Sequence, residues 1–103
     1  MTKETILLEL ENTLAIASKG NFDSAADNLA IVIEDDLERL LKPLSDRSEG
    51  SSLGGKYAAE DFGGPEKVSY VANRCQIALA ALEKRDKKTA IEALELALSR
   101  WRS

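Results

Sequence analysis

Four stretches of this chain place apolar residues three and four positions apart. That spacing limits what the chain can become, because it lines the side chains along one side of a helix that turns 100° per residue. The first stripe is Ile6, Leu7, Leu10, Leu14 and Ala17. The second is Phe22, Ala26, Leu29, Ile33, Leu37, Leu40 and Leu44. Val68, Val71, Cys75, Ala78, Leu79 and Leu82 form the third, and Ala90, Ile91, Leu94, Ala97, Leu98 and Trp101 the fourth. The spacing predicts helices over residues 3–19, 22–42, 65–84 and 87–102. Local signals agree with these bounds: Gly20 stands where a left-handed terminal residue belongs, Asn21 and Asp86 suit N-caps, Pro43 opposes continuation, and Pro65 opens a helix.

Residues 45–64 include DRSEGSSLGGKYAAEDFGG, rich in Gly and Ser and without periodicity, and read as a long flexible loop. The segments on either side repeat one another at an offset of 65: Ala25 with Ala90, Leu29 with Leu94, Ile33 with Leu98, Asn21 with Asp86. The expected fold is therefore all-α, a small antiparallel four-helix bundle made of two helical hairpins, with residues 1–103 as one domain.

Charge divides unevenly along the chain. Residues 1–50 hold five Lys/Arg against eleven Asp/Glu, and residues 51–103 hold nine against seven. An isoelectric point near 4.9 argues against broad nucleic-acid binding, which needs clustered positive charge to displace phosphate counterions. The local exceptions are Lys84, Arg85, Lys87, Lys88, Arg100 and Arg102, which sit at helix ends; a nucleic-acid-associated subunit that used them is the alternative they support. No run approaches the ~18 apolar residues of a membrane span, and the acidic, mixed N-terminal stretch is unlike a secretory signal, so a cytoplasmic protein is expected. One cysteine and no histidine leave little with which to build a disulfide framework or a zinc or iron site, and no cofactor is expected.

Two motifs suggest a nucleotide enzyme and fail on context. Residues 50–57, GSSLGGKY, fit the spacing of a phosphate loop, but Tyr57 replaces the hydroxyl that binds magnesium and no strand precedes Gly50. The apolar residues of LAIVIEDD, 29–36, belong to the helical period running through them and not to a strand.

The turn in KGNFDSAADNLAIVI, with Gly20, Asn21, Phe22 and Ala25, resembles the middle of a tetratricopeptide repeat over residues 20–33. Residues 85–98 resemble it more loosely, through Asp86, Ala90, Leu94 and Leu98, with Arg85 in place of the glycine. The first-helix signature is absent, Asn12 and Thr13 standing where Leu and Gly are usual. What the resemblance implies is a protein that works by holding other proteins, without catalysis.

Three groups of candidate residues follow. Leu8, Ile16, Ile31, Ile77 and Leu96 point roughly 150–200° away from their stripes and are the candidate interface of a homodimer. Asp36 lies on the inward stripe of the second helix, within reach of a basic partner such as Arg74 or of a ligand. With Lys56, Tyr57 and Phe62 of the loop it would serve a second alternative, a small-molecule pocket under a loop lid.

Overall fold

The computed structural model describes residues 3–41 and 62–103. Within them the chain is helical: α1 (Lys3–Ser18), α2 (Phe22–Ile31), a π-helical segment (Val32–Leu37), α3 (Glu38–Leu41), α4 (Pro65–Glu83) and α5 (Lys87–Arg102). The α2, π and α3 segments run on without a break, so the described residues form four helical rods, and no strand occurs among them. The bundle is the one the apolar spacing predicts, and each described rod ends within a residue of its predicted bound.

The rods pack in a ring. α1 lies against α2 and α5, and α4 against α5 and α2, which leaves α1 and α4 on one diagonal. Each hairpin therefore stands beside the other, and the inward stripes of both meet in one core. Adding 65 to most buried positions of the first hairpin gives a buried position of the second: Ile6 and Val71, Leu10 and Cys75, Ala17 and Leu82, Leu29 and Leu94, Ile33 and Leu98. The repeat visible in the sequence is thus a pseudo-twofold relation between hairpins.

The two turns show the relation most directly. After α1, the Gly20 N–H bonds to the Ala17 carbonyl at 3.0 Å and the Asn21 N–H to Ile16 at 3.2 Å. After α4, the Arg85 N–H bonds to Leu82 at 3.1 Å and the Asp86 N–H to Ala81 at 2.8 Å. Both are helix terminations in which a left-handed residue lets two backbone N–H groups reach back to the last carbonyls. Gly20, at φ 83°, meets this demand without a side chain; Arg85 meets it at φ 62°. Arg85 also crosses to the first turn, its Nη2 3.2 Å from Asp23 and its guanidinium carbon 5.5 Å from the centre of the Phe22 ring. The turns differ at the caps: the Asp86 carboxylate accepts from the Thr89 N–H at 3.2 Å, whereas the Asn21 side chain makes no such bond.

At the opposite end Trp101 is fully buried and donates from Nε1 to the Lys3 carbonyl at 3.0 Å, joining the last helix to the first. Phe62 stacks on it with ring centres 5.9 Å apart. This corrects the assignment of Phe62 to a ligand-covering loop: it belongs to the core, because an aromatic ring entering α4 finds the indole of α5 already facing inward. Lys67 also closes this end, its Nζ donating to the Ser103 carbonyl, and a side chain at Gly63 would collide with the Lys67 stem.

Gly20→Ala should lower stability by ~1–2 kcal/mol although the space around it is open, because the penalty lies in the left-handed backbone. Urea unfolding with unchanged helical circular dichroism is the check. Phe62→Ala should cost about 3–5 kcal/mol by the same measurement; a neutral result would place the ring outside the cooperative core.

Candidate functional site

The polar seam between α1 and the second rod is where this bundle departs from simple apolar packing. Thr13, buried, donates to the Glu9 carbonyl at 2.9 Å and accepts from Asn28 Nδ2 at 2.6 Å; the same Asn28 amide also donates to the Glu9 carbonyl at 3.3 Å. The corresponding positions of the other hairpin, Ala78 and Ala93, are both buried alanines. Small side chains let α4 and α5 approach closely, and theirs is the most extensive contact between any two helices.

Below this seam the second rod widens. The Glu38 N–H bonds to the Ile33 carbonyl, five residues back, so the turn holds one extra residue. Neighbouring residues of this segment lie in the core together, Val32 with Ile33 and Asp36 with Leu37. Asp36 is 1% exposed, and neither of its carboxylate oxygens has a hydrogen-bond partner. Burial pushes its pKa up to about 7, helped by the neighbouring carboxylates of Glu9 and Asp35. A proton on Asp36 would supply the hydrogen bond that two ionised carboxylates cannot make, with Glu9 as its acceptor.

The Asp36–Arg74 pair expected from the sequence does not form. Lys67, seven residues before Arg74 and so on the same side of α4, reaches the end of α5, whereas Leu79 and Glu83 on the other side line a groove with α2. Arg74 accordingly faces α5, with its guanidinium 5.3 Å from the Tyr70 ring centre. Its Nε is buried without a partner. Cys75, the next residue, is buried, and burial raises the thiol to about 12, far from nucleophilic use.

Four of the five outward aliphatics are where the stripes predict them: Leu8 is 58% exposed, Ile31 56%, Leu96 46% and Ile77 37%. Ile16 is a correction. It is half-buried and packs on the core, being in the last turn of α1 where the chain folds back over it and Asn21 bonds to its carbonyl. Leu41, 41% exposed, joins the outward group; it lies on the flank of the second stripe, beside the buried Leu40.

The pseudo-twofold relation also yields two grooves. One of about 660 Å³ between α1 and α5 is lined by Leu14, Ser18, Glu95 and Leu98 and spanned at its end by Arg102 on Glu11 at 2.8 Å. The other, about 570 Å³ between α2 and α4, holds the counterparts Leu79, Glu83 and Ala30, with Asp23 and Asp27 on its rim. The basic residues of the nucleic-acid alternative fall into two separate groups: Lys84, Arg85, Lys87 and Lys88 at one end of α5, Arg100 and Arg102 at the other, about 20 Å away. Arg85 and Arg102 are each engaged with a carboxylate of the chain. Lys56 and Tyr57 lie outside the described residues. Among the described residues no cluster of three or more Cys, Asp or Glu could hold a metal ion, and no helix is long and apolar enough to cross a membrane. Compared with protein-family models, curated proteins and solved structures, the chain shows no match.

Because Asp36 binds its proton more tightly folded than unfolded, its contribution to stability is full below the ordinary value of 3.8 and is lost as pH rises through about 7. At ~1.4 kcal/mol for each tenfold difference in proton affinity between the two states, the loss is a few kcal/mol. Asp36→Asn should therefore flatten the decline in stability between acid and pH 8 and leave the variant more stable than the parent at pH 8, as measured by urea unfolding at each pH. A variant that kept the parent's slope would show that another group titrates.

Proposed function

We propose that the protein is a small non-enzymatic interaction module, which acts by associating with protein surfaces, its own included, through aliphatic side chains that the bundle leaves in solvent. The observation that carries this reading is the placement of Leu8, Ile31, Ile77 and Leu96: one on each rod, opposite the buried stripe. A bundle already closed on itself has no packing use for large aliphatics there, and covering them is the usual gain of association. The resemblance of both hairpin turns to those of tetratricopeptide repeats fits the same role. The smallest assembly on this reading is a pair of chains.

Burying one such side chain contributes ~1.5–3 kcal/mol, so association resting on four of them is modest and should appear at high micromolar concentration. Light scattering on a concentration series should give a mass above one chain, and the double variant Ile31→Lys with Ile77→Ser should return it to one chain with its helical circular dichroism intact. A parent mass of a single chain throughout would contradict self-association.

A further inference from the structure

The hairpins have the same fold and unlike outer surfaces. Since α1 is flanked by α2 and α5, and α4 by α5 and α2, the outward sides of the two hairpins are opposite faces of the bundle. Each face carries one aliphatic pair. Asn28 on Thr13 sets α2 against α1, so Ile31 stands level with residue 10, two positions from Leu8. Lys67 on Ser103 sets α4 against α5, so Leu96 stands level with residue 74, three positions or ~4 Å along from Ile77.

The charges around these pairs are opposite. Positions three and four residues away are neighbours on a helix. For Leu8 and Ile31 they supply five carboxylates, Glu4, Glu11, Asp27, Glu34 and Asp35, of which Glu11 is engaged by Arg102 of α5, and no base. For Ile77 and Leu96 they supply Arg74 and Arg100 against Glu92 alone. The imbalance extends to whole hairpins: residues 3–41 carry three Lys/Arg and nine Asp/Glu, residues 62–103 eight and five. A symmetric pair formed through either face would set like charges against each other, and only unlike faces match.

We infer that copies of this chain associate head to tail, the acid-ringed Leu8 and Ile31 face of one resting on the Ile77 and Leu96 face of the next. This rests on the self-association reading above. Because the faces lie on opposite sides, each added copy offers a new one, and assembly stays open instead of stopping at two.

Mixing separates this arrangement from a closed dimer. Ile31→Lys puts a base on the acidic face, and Ile77→Ser removes the aliphatic side chain of the other without adding a charge that the new lysine could pair with. By light scattering at low salt, the parent should exceed two chains in average mass and fall back in ~0.5 M salt. Each variant alone should have the mass of one chain, and their equimolar mixture should give a two-chain species, since one variant keeps each face. Leu8→Ser and Leu96→Ser, milder changes at exposed sites, should behave as the same complementary pair. If one variant alone keeps a parental dimer and mixing adds nothing, the head-to-tail arrangement is overturned while self-association stands. If the parent has the mass of one chain at every concentration, both are overturned.

Discussion

A hairpin of two amphipathic helices cannot cover its own apolar stripe, and everything in this structure follows from the need of each hairpin for the other. Ile6, Leu10, Leu29 and Ile33 of the first lie in one buried cluster with Val71, Cys75, Leu94 and Leu98 of the second, their own counterparts under the repeat. Hydrophobic burial is the dominant favourable term in such a fold. Here it is divided into two matched halves, with Trp101 joining the last helix back to Lys3 at the start of the first.

The match is incomplete, and the differences in the core lie along the packing of α1 on the second rod. Where the second hairpin is sealed by Ala78 and Ala93, the first uses Thr13 and Asn28. Where the second has Trp101 with its N–H satisfied, the first has Asp36 with neither oxygen satisfied, on a turn widened by one residue. An orphaned buried carboxylate is destabilising unless protonated. The first hairpin thus carries the buried carboxylate whose protonation, beside Glu9, ties the stability of the fold to pH.

Much of this was legible in the sequence because helical periodicity reports which side of a rod is inward. The ring of four rods, the offset of 65 and the exposure of Leu8, Ile31, Ile77 and Leu96 all come from that one regularity. What escaped it involves breaks in the regularity or contacts remote in sequence. Ile16 is covered by a chain reversal that a helical wheel does not contain. Phe62 lies in a stretch without period, and its place is set by Trp101, 39 residues on. The partner expected for Asp36 was wrong because charge and proximity in a wheel do not say which neighbour a residue faces: Arg74 turns toward α5. The acidic surroundings of one aliphatic pair and the basic surroundings of the other were present as a charge imbalance between halves, but only the ring of helices shows that they occupy opposite faces.

The central claim is that these two opposite faces are the working surfaces of the molecule. Backbone amide shifts followed by NMR as the protein is diluted test it most directly, since they locate contacts without altering a residue. Concentration-dependent changes are expected in two clusters within one titration, around Leu8 and Ile31 and around Ile77 and Leu96, with the grooves lined by Leu14 and Leu79 unchanged. Changes confined to the grooves, or absent from both faces at the highest concentration, would contradict the claim.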